Sequence, residues 1–274
     1  MRQRLGQHFL KNKEKIRKII KTLEIKDGDT IVEIGPGHGE LTEFLVEKFL
    51  AFSGRGELIA IERDKNLAVQ LKTKFQNPNI RIIEGDVLKT LFQIPKALHL
   101  MPNAYKIIGN VPYYITGRLL RILSEIEPKP KLCIFTLQKE VAERICVKPP
   151  KMNLLAASIQ FWASPEIVDI ISKKDFKPRP AVDGAIIKLR FKNYAAFGEP
   201  RLWRESRIKE NYYKLIKILF KQPRKTILNN LIAFDKSRRS YYKVLLEKNG
   251  INPQHRPQNL SVEKLKKLAE LLYN

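Results

Sequence analysis

The stretch Asn110-Val111-Pro112-Tyr113 sets an amide, a rigid proline and an aromatic ring in four consecutive residues, directly after Gly109. The Asn side-chain oxygen and the neighbouring backbone carbonyls are acceptors, which is what the two N–H bonds of an exocyclic base amine require. The Tyr113 ring offers a π-face on which a flipped base can stack. The preceding run Tyr105–Ile108 reads as the end of a buried strand. In an open α/β sheet, ligands bind outside the carboxyl ends of strands, so the tetrapeptide would face a pocket. The bland alternative is a strand-to-helix turn in which Asn and Pro only set the geometry. The tetrapeptide alone does not choose between them.

A second group of residues bears on that choice. Thr30–Ile34 reads as a buried first strand, followed by Gly35, Gly37 and Gly39 and then by an amphipathic helix through Leu41, Phe44, Leu45 and Lys48. Strand, glycine turn and helix is the context of a nucleotide site, because glycines let backbone N–H groups and the helix N-terminus approach a ligand. Tight packing is the plain alternative for any single glycine turn. The spacing is G-x-G-x-G rather than the G-x-G-x-x-G of a dinucleotide pyrophosphate site, and the carboxylate of Glu33 stands just before it. Both features favour an amine-bearing ligand such as the methionyl group of S-adenosylmethionine. Glu57–Ile61 is a second strand ending at Glu62, a carboxylate placed to accept both ribose hydroxyls; Asp64 is either its competitor or a helix cap. Ile80–Ile83 is a third strand ending at Asp86, which could take an adenine amine or cap the helix that begins at Val87. In this order the features lay out an adenosine site.

Composition narrows the partners. The 274 residues hold 52 Lys and Arg against 28 Asp and Glu, a net charge of +24. Such a field attracts polyanions, nucleic acid or an anionic membrane surface. No apolar run is long enough for a transmembrane helix, and the first residues lack the core of a signal peptide, so the expectation is a cytoplasmic protein without membrane contact. Cys133 and Cys146 are in no metal or redox spacing, and the four histidines form no ligand cluster, so no metal is expected.

The elements that carry these residues alternate strand and helix up to about residue 192. Lys131–Leu137 is a fifth strand leading into the charged helix start Gln138–Arg144. Lys148–Asn153 is a basic, proline-rich loop before a helix over Leu154–Trp162. Pro165–Ile171 and Ala185–Phe191 are two further strands. Between them, prolines hold Phe176–Asp183 extended; Phe176 either faces Tyr113 across the site or plugs the core. Residues 193–200 break the alternation and read as a link. Beyond it the chain is helical, with Lys and Arg dense enough at Arg224, Lys225, Lys236, Arg238, Arg239 and Lys243 for a phosphate-tracking surface. A solvated helical face is the alternative reading. The expected division is therefore 1–192, an α/β domain, and 193–274, a small all-α domain.

Gly6-Gln7-His8-Phe9-Leu10, Glu33-Ile34-Gly35-Pro36-Gly37, Glu62, Gly85-Asp86, Gly109-Asn110-Val111-Pro112-Tyr113, Gln138-Lys139-Glu140-Val141 and Phe176 to Asp183 occur in that order. Together they resemble the small-subunit ribosomal RNA adenine N6,N6-dimethyltransferases, the KsgA family. The similarity runs from Gln3 to about residue 192 and continues at Arg224–Leu231. It implies a Rossmann-like S-adenosylmethionine-dependent methyltransferase domain with a helical domain that binds RNA or the ribosome. The substrate it implies is two adjacent adenines near the 3′ end of 16S rRNA, in the precursor 30S subunit, methylated by a monomer. By position it assigns His8, Leu10, Gly35, Gly37, Glu62, Asp86 and Asn110 to the donor, and Asn110, Pro112, Tyr113 and Phe176 to catalysis. It calls for no general base, so Glu140 and Glu143 are read as helix-start charges. Departures from the family pattern are Val111 in place of a common Leu, and the 149–155 segment, where relatives carry a glycine-containing loop. Three alternatives have stated signatures: a 23S rRNA methylase conferring macrolide resistance, an assembly factor that does not methylate, and a nicotinamide oxidoreductase, which the glycine spacing and charge disfavour.

Overall fold

The computed structural model describes residues 7–51, 56–94, 105–192 and 201–273, without side chains at 51 and 201–206. Gln3–Gly6 of the first motif, the Ser53-Gly54-Arg55 turn and the 193–200 link lie outside the described residues. Contacts divide the chain into two compact units, one of residues up to 143 with 163–191, the other of 144–162 with the residues from 192 onward.

The first unit is built on a seven-stranded sheet in the order β4-β3-β2-β5-β6-β9-β7. Strands β2 (Thr30–Ile34), β3 (Glu57–Glu62), β4 (Ile80–Glu84), β5 (Tyr105–Asn110) and β6 (Leu132–Gln138) run parallel. β9 (Gly184–Phe191) returns antiparallel between β6 and β7 (Ala163–Ile171). The central strands are apolar on both faces, with Ile31, Val32, Ile59, Ile107, Ile108 and Ile134 fully buried. That pattern belongs to a sheet covered by helices on both sides. α1 (Lys13–Thr22) buries Ile16, Ile19 and Ile20, and its first turn is closed by the Asn12 side chain accepting from the N–H groups of Glu14 and Lys15. α2 (Glu40–Ala51) adds Leu41, Leu45 and Phe49 to the same core.

Strand order reverses at β2, which has β3 on one side and β5 on the other. The chain leaving the carboxyl end of β2 goes to β3 on one side and that leaving β5 goes to β6 on the other, which opens a crevice between them. The register pairs Ile34 with Gly109, so Gly35 and Asn110 emerge side by side. Gly109 is required for that approach, since a Cβ on it would lie 2.6 Å from the Ile34 carbonyl oxygen. A two-residue strand β1 (Phe9–Leu10) pairs antiparallel with β8 (Phe176–Lys177), and the Lys11 N–H extends the ribbon to the Asp175 carbonyl at 2.8 Å.

The helical unit takes α7 (Leu154–Trp162), which the sequence reading places in the α/β domain. The reason is long-range: from α8 (Arg201–Leu219), the Tyr212 hydroxyl donates to the Ala157 carbonyl at 2.9 Å and the Tyr213 hydroxyl to that of Ser158 at 3.0 Å. Gln160 further ties α7 to the carbonyls of Ile145 and Val147, at the end of α6 (Lys139–Cys146). α8 begins directly after the 193–200 segment, at Arg201, and runs to Leu219. α9 (Ile227–Phe234) is capped by Thr226, and buried Asn230 donates its amide to the carbonyls of Gln222, Lys225 and Thr226. Part of the Arg224–Leu231 motif therefore shapes a turn. α10 (Arg239–Lys248), ended by Gly250 at φ 66°, and α11 (Val262–Tyr273) complete the unit. No helix among the described residues is long and apolar enough to cross a membrane. Among the same residues, no group of His, Cys, Asp or Glu is arranged to hold a metal ion.

Candidate active site

A cleft opens at the carboxyl ends of β2 and β5. Its walls come from the N-terminal ribbon (Gln7, His8, Phe9), the glycine turn (Gly35, Gly37), the Asn110–Tyr113 stretch and Phe176. Of the residues expected to meet a donor or a base, His8, Gly35, Gly37, Asn110, Pro112, Tyr113 and Phe176 line it. Leu10, Glu62 and Asp86 do not. Leu10 is buried in the core. Glu62 is buried behind the turn, where one carboxylate oxygen accepts from Gly37 N–H at 3.0 Å and the other from Asp64 N–H at 2.8 Å. Burial holds its carboxyl above the usual range, against the pull of those backbone donors. Asp86 caps α4 (Val87–Thr90) through the Leu88 N–H at 2.9 Å, and Gly85 N–H reaches the Glu62 carbonyl at 2.8 Å. Asp64 caps α3 (Lys65–Lys74). The acidic residues thus follow the cleft along the strand ends, each clamped by backbone donors.

Gly37 adopts φ 63°, and a Cβ there would come within 2.7 Å of the Phe9 ring. The turn can therefore sit beneath the ribbon only as glycine. Phe9 in turn meets the His38 ring at a centroid distance of 4.5 Å. Gln7 and Phe9 are cleft residues to which the sequence reading gave no role of their own, although both stand in the Gly6–Leu10 motif.

Asn110 closes the end of β5. Its Nδ2 donates to the His8 carbonyl at 2.6 Å. A carbonyl can only accept, so the amide nitrogen is held on His8 and the side-chain oxygen Oδ1 is left as an acceptor, with no donor to it among the described residues. The His8 ring donates from Nδ1 to the Pro178 carbonyl at 2.8 Å, again because that oxygen cannot donate. His8 therefore links Asn110 to the Phe176–Asp183 loop. Val111 is buried, with its N–H on the Thr136 carbonyl at 3.2 Å. Pro112 starts a 3₁₀ turn, Tyr113–Ile115, that leads into α5 (Thr116–Glu125), and the half-buried Tyr113 lines the cleft. The Tyr113 hydroxyl is buried without a hydrogen-bond partner, and burial, with Asp183 nearby, raises its pKa. Phe176 is 5% exposed, packed with Leu10, Ile171 and Ile186 in the core while also lining the cleft. The two readings of Phe176 both describe it.

Glu33 is fully buried under the turn. One oxygen accepts from the Thr42 hydroxyl at 2.8 Å and the other, Oε1, has no partner. Burial pushes its carboxyl up to about 8, opposed by Thr42 and reinforced by Glu40 and Glu62. Two left-handed glycines after β2, backbone-clamped acids at the next two strand ends and the Asn110 Oδ1 acceptor make a set suited to a nucleoside that carries amine N–H bonds. That set fits S-adenosylmethionine.

The model of the ribosomal RNA adenine dimethylase family matches residues 1–273. Among curated relatives, "Ribosomal RNA small subunit methyltransferase A" of Dehalococcoides mccartyi is 36% identical over 98% of this chain and 87% of its own. The protein of that name from Mycoplasma capricolum is 34% identical over 98% of this chain and 96% of its own. Among solved structures, a dimethyladenosine transferase from Plasmodium falciparum superposes with a TM-score of 0.75 at 26% identity, covering 97% of this chain and 98% of that one. The 23S rRNA methyltransferase ErmE follows with 0.72 at 25% identity, covering 97% of this chain and all of that one. With a family match that spans both units, the chain belongs to the ribosomal RNA adenine dimethylases.

Proposed function

We propose that this protein is a 16S rRNA adenine N6,N6-dimethyltransferase, which methylates two adjacent adenines of the 3′-terminal hairpin loop in a precursor 30S subunit. The observation that carries the mechanism is the Asn110 amide fixed on the His8 carbonyl with its oxygen free. S-adenosylmethionine supplies a methyl group already activated on a sulfonium. The adenine N6 lone pair is delocalised into the ring and is a weak nucleophile. Asn110 Oδ1 and the carbonyl of Val111 or Pro112 accept the N6–H bonds, which holds the nitrogen in line and favours a more tetrahedral centre. Tyr113 and Phe176 stack on the flipped base. Positioning then supplies most of the acceleration, and no strong base is needed. Gly35, Gly37 and His8 shape the donor pocket, Glu62 takes the ribose hydroxyls and Asp86 the adenine amine. The helical unit provides RNA contact, and the protein works as a cytoplasmic monomer.

The 23S methylase reading has support in the likeness to ErmE, but that structure is 25% identical whereas the curated small-subunit relatives reach 36%. Labelled methyl transfer to small subunits from a dimethylation-deficient strain, with large subunits as control, separates the two. Label recovered as N6,N6-dimethyladenine in the small subunit supports the assignment; label in the large subunit selects the resistance methylase. Tight small-subunit binding without transfer leaves an assembly factor. Asn110→Ala should abolish transfer while leaving RNA binding nearly intact.

A further inference from the structure

The corner formed by the end of α9, the turn after it and α10 presents aromatic rings that the core does not use. α10 buries Tyr242 and Leu246, yet three residues apart on its other side Tyr241 and Val244 are each 48% exposed. Phe234, the last residue of α9, is 56% exposed, beyond the stripe of Ile227, Leu228 and Leu231 that α9 buries. Its ring borders a groove with Lys217 of α8 and Lys221 of the turn that follows it. The same short segment carries exposed cations, Lys236, Arg238, Arg239 and Lys243. The Arg238 guanidinium lies 6.0 Å from the Tyr241 ring centroid and is held by Asp235 at 3.4 Å.

The charge of the whole unit has the same sign. Residues 144–162 and 192–274 carry 22 Lys and Arg against 7 Asp and Glu, more than half of the chain's net charge of +24. A face of this kind is poorly suited to a cationic or neutral protein partner, and its rings are too isolated to bury a wide apolar surface. Exposed rings set among cations suit an unpaired stretch of RNA, because every base has a π-face to stack and every nucleotide brings a phosphate.

We propose that this corner is a second RNA-binding site, in which Phe234 and Tyr241 stack on unpaired bases while Lys236, Arg239 and Lys243 hold the flanking phosphates. It deepens the assignment of rRNA as substrate: the cleft takes the target adenine, and this platform takes other, unpaired nucleotides of the same RNA.

The test uses the full-length protein and measures binding to unmethylated small subunits and to protein-free rRNA of the same 3′ domain over a range of salt. Phe234→Ala and Tyr241→Ala should each weaken binding to both RNAs on the order of 10-fold, with an unchanged salt slope, because stacking releases no counterions. Lys236, Arg239 and Lys243 changed together to Ala should lower that slope by about 2, the signature of lost phosphate contacts. Phe234→Trp should keep the affinity. In methylation assays the two Ala variants should raise KM for the subunit and leave kcat and donor binding as in wild type. Wild-type affinity of both Ala variants for both RNAs overturns the proposal. So does a loss confined to intact subunits, which marks a protein-docking face. If the wild-type protein fails to methylate small subunits but the variants still lose RNA affinity, the substrate assignment falls and the platform stands.

Discussion

Asn110 Nδ2 and the His8 carbonyl oxygen are 2.6 Å apart across 102 residues of sequence. The bond decides which end of the Asn110 amide faces the cleft, and under the proposed mechanism it makes the N-terminal ribbon part of the amine-binding apparatus. Asn110→Asp keeps the size of the side chain but puts an anionic oxygen against the His8 carbonyl. The carboxylate must turn away or push the ribbon aside. We expect single-turnover methyl transfer to fall by about 100-fold or more, the scale seen when a positioned polar group is lost. Donor affinity, read by calorimetry, should change far less. A variant within threefold of wild-type transfer would show that the orientation of this amide does not matter.

Glu33 gives a prediction in pH. Its carboxyl is fully buried and pushed up to about 8 from an ordinary 4.5, chiefly by burial. Between those values the folded chain keeps a proton that the unfolded chain has released, so unfolding free energy falls as pH rises, by at most about 1.4 kcal/mol per pH unit from this group. Glu33→Gln keeps a partner for Thr42 and removes the titration. Relative to that variant, wild type should be progressively less stable from pH 5 to 8 in denaturant melts. A difference independent of pH, or one that grows toward acid, contradicts a proton on Glu33 in the ligand-free protein.

The parts of this molecule that were legible in sequence are those fixed by local pattern. Apolar runs at Thr30–Ile34 and Tyr105–Ile108 and the left-handed glycines at 35 and 37 announce buried strands and a turn, because hydrophobic run length and φ are local properties. Asn12 and Thr226 announce helix starts for the same reason. What distant segments do to each other was not legible. Nothing in Leu154–Trp162 shows that two tyrosines some 55 residues later will bond its backbone and draw it into the helical unit. Phe9 over Gly37 and His8 on Asn110 are likewise consequences of the β1–β8 ribbon, a two-residue pairing too short to leave a period in the sequence. The buried carboxyl of Glu33 was read from sequence as a ligand-facing charge. The structure instead places it beneath the turn with Thr42, because β2 is covered on both faces.

Gly37→Ala tests the turn. The new Cβ would meet the Phe9 ring at 2.7 Å and would also have to adopt φ 63°. The backbone part costs about 1–2 kcal/mol for an L-residue in this region, and relief of the clash requires the ribbon to shift. We expect a lower melting temperature and at least 10-fold weaker binding of S-adenosylmethionine in calorimetry. Adding Phe9→Ala should recover only part of the lost stability, since it removes the clash and leaves the φ strain. Full recovery in this double-mutant cycle would mean that the left-handed conformation carries no cost of its own.

Tyr113 separates the work of a ring from that of its hydroxyl. The hydroxyl is buried without a partner, and its pKa is raised by burial, so it neither gains a hydrogen bond in the folded state nor ionises near neutral pH. Leaving a buried hydroxyl unsatisfied costs about 1–3 kcal/mol. Tyr113→Phe should therefore be as stable as wild type or more so, by up to about 1 kcal/mol. It should keep transfer within a few-fold, with an unaltered pH profile. Tyr113→Ala removes the stacking face, about 1–3 kcal/mol of base contact, and opens the cleft beside Asn110. Its transfer rate at saturating subunit should drop by about 100-fold, reflecting lost positioning as well as lost contact. If the Phe variant failed as badly as the Ala variant, the hydroxyl would have to engage the RNA or the donor directly, and the role of Tyr113 would shift from stacking to hydrogen bonding.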